Sequence, residues 1–227
     1  MPNTIIAIPG FSEPVSSLTH LLAAGLFLAL SIWLVIKTKP GLGYRFPVGL
    51  FGFAIVFVLS MSGVFHLLEP GTTARHILQR LDHAGIFFLI AGTFTPVHSI
   101  LFKGGWRWGM LIPIWVVAIT GLTLKTIFFT DIPEWLGLTF YLGLGWLGAI
   151  SATVLYRRYG YAFIKPLVYG AIAYSVGAVM EFLRQPILIK GVIGAHEIFH
   201  IAVLLGISFH FVFVKRFCTQ TELQPIR

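Results

Sequence analysis

Ser60–Pro96 reads SMSGVFHLLEPGTTARHILQRLDHAGIFFLIAGTFTP, and how it is read decides the fold. One apolar run closes on Ser62 and His66, a short polar turn follows, and a second apolar run opens on Asp82 and His83. Polar and ionisable side chains at that depth of a hydrophobic segment are costly and mark function. The stretch is therefore expected to be a helical hairpin within a membrane, carrying half of a metal site. The other half is expected from HEIFH, His196–His200, far away in sequence.

Composition supports the membrane. The chain has 227 residues, 57% of them hydrophobic and only 11% charged, with a mean hydropathy of +0.88. A soluble domain carries about 25% charged residues. A helical span needs about 20 apolar residues, and seven stretches qualify: roughly 15–36, 47–68, 80–102, 108–128, 134–156, 165–183 and 195–214. KTKPGLGYR, EPGTTARH, KGGWR, FTDIPE, RRYGYAFIK and RQPILIKG separate them, each with Gly or Pro to interrupt a helix. Apolar runs of this length without period-two alternation predict helices rather than a barrel.

The fold class is thus all-α: a polytopic membrane protein, a seven-transmembrane-helix bundle, with residues 1–227 as one integral membrane domain. Short loops make successive helices antiparallel. Ala173 and Gly177, four apart, suit a close helix contact, and Trp106, Trp108 and Trp135 suit interface anchors at span ends. MPNTIIAIPGFSEP has no Lys or Arg before the first span, which argues against a cleaved signal peptide. The single Cys218 excludes a disulfide framework or a cysteine-rich metal site.

Alternation sorts the charges. Glu13, Glu69, Asp82, Asp131, Glu134, Glu181 and Glu197 fall on the N-terminal side of the bundle, together with His20, His66, His83, His196 and His200; only Glu222 lies opposite. Of the 16 Lys and Arg residues, 5 lie on that side (Arg75, Arg80, Lys125, Arg184, Lys190) and 11 on the other. The net charge of +8 resides in short loops, as for anchoring to a membrane surface, and does not point to nucleic acid. The positive-inside rule then places the C-terminus in the cytoplasm and the ligand-rich end outside the cell membrane.

His196 and His200 project from one helix face about 6 Å apart along the axis, which lets two imidazoles share one cation. A pair of interfacial histidines bonded to their neighbours has the same spacing. His66 offers a third nitrogen, and Ser62 lies on its face one turn earlier. Three neutral histidines and a water form the open arrangement of catalytic zinc sites. Topology puts Asp82 where a carboxylate can hold that water and take its proton. As a bare helix-terminal acid, Asp82 would instead answer only the helix dipole. Glu181 and Arg184 are expected to pair, Glu197 to be interfacial, His76 to be a solvated loop residue, and His83 to pack nearby. His98 and His210 belong to the opposite end.

These blocks resemble a known family. DHAGIFFLIAGTFTP, Ser62-x-x-x-His66 and His196-x-x-x-His200 look like the three blocks of the haemolysin III family, which groups with the adiponectin and progestin receptors and, distantly, the alkaline ceramidases. The resemblance covers all seven spans. It implies a Zn2+ ion held by His66, His196 and His200, with Asp82 holding the water there and Ser62 beside it. The first block departs from the pattern: Glu13 is followed by Ser17-Leu18-Thr19-His20, with Ser17 where Asn is usual. The resemblance also implies a cytoplasmic N-terminus, opposite to the charge count.

Two functions follow as expectations. One is a zinc-dependent hydrolase of a lipid amide or ester bond, with Asp82 and Ser62 as catalytic residues and membrane lipids as substrates and surroundings. The alternative is a non-enzymatic receptor-like or membrane-lytic protein whose zinc is structural. Haem between histidines of the second and seventh spans is a third arrangement, to which two histidines one turn apart are poorly suited.

Overall fold

The structure is a computed structural model that describes residues 5–219 and 225–226. The charges of Glu222 and Arg227 and the first four residues lie outside the described residues. Eight helices follow one another: α1 (Pro14–Lys37), α2 (Leu42–Leu67), α3 (Thr73–Leu101), α4 (Gly104–Ile127), α5 (Glu134–Trp146), α6 (Gly148–Tyr159), α7 (Tyr161–Leu183) and α8 (Ala195–Thr219). No β-strand forms among the described residues. With α5 and α6 taken together, seven segments are long and apolar enough to cross a membrane.

The helices bury the residues that their period brings to one side. In α1 Ser17, His20, Ala24, Phe27, Ser31 and Leu34 keep a three-and-four spacing that makes one stripe, with Ser16 buried beside it. Leu22 and Leu26 point the other way and are exposed, as lipid-facing residues are. In α3 the buried set, from Ala84 to Leu101, nearly encircles the axis, so this helix runs through the interior. Only Gly137 and Leu144 are buried in α5, which lies at the periphery.

Lipid provides no hydrophobic drive between helices, so close packing must bring them together. Small residues do this at each major seam. A Cβ on Gly52 of α2 would lie 2.5 Å from the Ser31 Cβ of α1. One on Gly92 of α3 would meet the Ala54 Cβ of α2 at 2.7 Å, and one on Gly177 of α7 the Ala202 Cβ of α8 at 2.5 Å.

Helices α2, α4 and α7 begin four or five residues before the expected positions, and three further features differ from the sequence reading. Thr72 caps α3 by accepting the Arg75 N–H at 3.3 Å, so that helix begins seven residues before the expected 80 and takes in much of EPGTTARH. His76 therefore sits, exposed, in the first turn of a helix rather than in a loop. The fifth span is interrupted at Leu147, where Gly143, Gly145 and Gly148 weaken the helix, although Leu147 keeps helical dihedrals (φ −56°, ψ −25°). Trp106, Trp108 and Trp135 stand exposed at the starts of α4 and α5, as expected of interface anchors.

Candidate metal centre

The start of α8 is fixed first. Glu197, the third residue of that helix, accepts the Gly194 N–H at 2.8 Å, and the Ser16 hydroxyl of α1 donates to it at 3.2 Å. The first contact is half of a capping box. Glu197 is thus a buried cap that ties α8 to α1, not the interfacial acid expected, and its carboxylate is occupied.

This cap sets the direction of His196 and His200 in the first two turns of α8. His66 arrives from the last turn of α2. The three residues offer nitrogens that all lie within 4.8 Å of one another, with His66 and His200 buried and His196 partly so. His196 Nε2 and His66 Nε2 face each other at 3.2 Å. Two nitrogens on one tetrahedral ion at about 2.0–2.1 Å stand about 3.3 Å apart. This group could hold a metal ion.

Carboxylates orient two of the rings from behind. His66 Nδ1 meets Glu13 Oε2, and Arg75 donates to the other oxygen of Glu13 and to the Leu68 carbonyl. His196 Nδ1 lies 3.3 Å from Glu181 Oε1. Glu181 also pairs with Arg184, as its spacing suggested, and Arg184 reaches on to Glu134 at 2.8 and 3.0 Å. A hydrogen on each Nδ1 shared with a carboxylate leaves the Nε2 lone pair pointing inward, the tautomer a metal ligand requires. Burial pushes the Glu13 carboxyl up, but His66, by hydrogen bond and charge, and Arg75 outweigh it and bring it from 4.5 down to about 2.

Beneath the cluster lies further imidazole. His20 of α1 stacks on His200 with ring centroids 4.0 Å apart. Both ring nitrogens of His20 and Nδ1 of His200 are buried with no hydrogen-bond partner in the protein. Buried polar atoms without partners are costly. The layer holds more nitrogen than the protein satisfies, and a cation or water fits it.

Asp82 is the tenth residue of α3, so the dipole of a helix terminus does not explain it. Gly85 lies against Val58 and Gly92 against Ala54. This register puts Asp82 level with residues 61–64 of α2, the height of Ser62. Ser62 is 2% exposed, and the Asp82 side chain 16%. His83 Nδ1 lies 3.7 Å from Asp82 Oδ2 and 2.9 Å from the Gln79 carbonyl. His98, bonded to Ser151 at 2.9 Å, and His210, at 3.2 Å from the Leu167 carbonyl, take no part in the cluster.

Sequence reasoning missed the partner carboxylates. Glu13 was visible only as a motif residue, and the Arg184 spacing accounted for Glu181 without His196. The three histidines come from two helices, α2 and α8.

Comparison with known proteins agrees with this architecture. The family model described as haemolysin-III related matches residues 11–211. Hemolysin-3 of Bacillus cereus is 31% identical over 204 residues, covering 88% of each chain. The Hemolysin-3 homolog of Bacillus subtilis (strain 168) is 31% identical over 171 residues, 75% of this chain and 76% of that one. Heptahelical transmembrane protein 1 of Arabidopsis thaliana is more distant, 25% identical over 225 residues, with 88% and 68% covered. The chain belongs to the haemolysin-III-related family of multi-pass membrane proteins.

Proposed function

We propose that this protein is a zinc-dependent hydrolase of a lipid amide or ester bond within the membrane. One observation carries the reading: two Nε2 atoms face each other at 3.2 Å, each on a ring whose Nδ1 has a carboxylate partner; the register of α3 on α2 supports a common height for Asp82 and Ser62. Zinc, when bound, would supply Lewis acidity toward a carbonyl and a water acidic near neutral pH. His66, His196 and His200 would hold it. Asp82 would take the proton of the attacking water as its oxygen bonds to the carbonyl carbon, then return that proton to the departing amine or alcohol. Ser62 would donate a hydrogen bond at the same level.

The test compares metal content and lipid hydrolysis in one set of variants. His66→Ala, His196→Ala and His200→Ala are expected to lose stoichiometric zinc. Asp82→Asn is expected to keep the metal and lower hydrolysis of ceramide-like or acyl lipids by at least about 100-fold. Full turnover in Asp82→Asn overturns the reading.

A structural metal is the second reading, supported by how the ligand shell spans the bundle, with Glu13 ahead of α1 and Glu181 on α7. Under it, His66→Ala collapses the melting temperature; under the hydrolase reading, that variant stays folded and inactive.

A further inference from the structure

Lys125 is not explained by the metal centre. It is the third-last residue of α4, and it is only 6% exposed. A lysine in the last turn of a membrane helix ordinarily extends its ammonium outward to water or serves the terminal carbonyls. This one donates to none of the terminal carbonyls. Its Nζ lies 4.6 Å from the centre of the Phe129 ring. The carbonyls of Thr126 and Ile127 are taken by Arg80, at 2.9 and 3.4 Å.

No carboxylate lies within ion-pair distance of Lys125 among the described residues. Glu134, whose charge acts on it, is held by two bonds from Arg184. An unpaired ammonium folded into a membrane protein is costly and calls for an anion.

A glycine faces it. Gly137 of α5 is buried, and a Cβ built there would meet only ordinary contacts, Tyr141 Cε2 at 3.8 Å and Lys125 Nζ at 3.9 Å. Tyr141 in turn donates its hydroxyl to the His83 carbonyl at 3.0 Å, next to Asp82. The ammonium thus lies against Gly137 and the Phe129 ring, and Tyr141 ties this end of α5 to α3, the helix that carries Asp82.

We infer that Lys125 binds the anionic oxygen group, carboxylate or phosphate, of a lipid seated between the ends of α4 and α5. A compact ammonium is suited to such a group as a point charge. The inference rests on the lipid reading above and adds that the substrate, or the acid it releases, is anionic at this end.

Binding tests it without turnover. The protein in phosphatidylcholine nanodiscs is titrated with spin-labelled stearate, its methyl ester and spin-labelled phosphatidic acid. Wild type is expected to prefer at least one anion over the ester by about fivefold; which one identifies the group. Lys125→Met is expected to bring that ratio to about one, and Lys125→Arg to retain most of it, with metal content unchanged in both. Gly137→Leu, which crowds the ammonium and keeps its charge, is expected to lower the ratio too, so the test survives a misfolded Lys125→Met.

An unchanged preference in Lys125→Met overturns the inference. Lys125-dependent binding of inorganic phosphate without any lipid preference overturns it as well. Because the readout is binding, failure of the hydrolase reading in Asp82→Asn leaves this result separately decidable.

Discussion

At the scale of residues, the centre depends on what stands behind the histidines. Carboxylates that fix the tautomer and direction of ligating imidazoles are worth about 10–100-fold in metal affinity. Glu13→Gln and Glu181→Gln are each expected to weaken metal binding by that factor in a chelator competition, with Zn2+ as the probe, while both proteins stay folded. Affinity equal to wild type in both would mean that neither carboxylate orients a ligand. Acid separates the groups further. The Glu13 carboxyl, low at about 2, contributes stability that is present above its ordinary value of 4.5 and lost as pH falls toward 2. Metal released well above pH 4.5 therefore does not report loss of Glu13. That His196 and His200 stand together was legible, because a four-residue spacing declares a shared face. Their partners were not. Glu13 and His66 are separated by 53 residues, and no local pattern joins them.

At the scale of elements, glycine decides how closely the helices approach. Gly177→Ala would drive a methyl into Ala202 at 2.5 Å, across the seam that positions His196 and His200. Overpacking of this kind costs about 1–3 kcal/mol. The variant is expected to melt earlier, whereas Gly143→Ala, with nothing within 4 Å, should lie within about 1 kcal/mol of wild type. Equal melting of the two would remove the packing argument. Hydropathy found all seven spans, since twenty apolar residues in a row have few other interpretations. It misplaced the start of α3 because Thr73–Arg80 is polar, and only the Thr72 cap extends the helix through it. That error mattered: it presented Asp82 as a helix-terminal acid, when the residue lies nine positions inside.

At the scale of the whole molecule, the described charges remain divided between two ends. Of the 15 described Lys and Arg residues, ten lie opposite the histidines, which predicts a cytoplasmic C-terminus, while the resemblance to the adiponectin receptors implies the reverse. A fluorescent reporter at the C-terminus that lights only in the cytoplasm decides between them: signal supports the charge count, and darkness with full-length protein supports the receptor-like orientation.

The segment ahead of α1 has a practical consequence. The Ser12 N–H bonds to Leu67 O, the Glu13 N–H to His66 O, and the Ile6 N–H to Gly191 O, so the N-terminal strap is tied to the end of α2 and to the loop ahead of α8, the two places that bring His66 and His196. At the other end of the bundle, Ile226 bonds to Leu101 and Lys103. A polyhistidine purification tag fused ahead of Met1 would hang over the cluster and compete with it for metal. One fused after Arg227 would be anchored across the bilayer from it, so zinc stoichiometry is best measured on C-terminally tagged protein after the tag is cleaved.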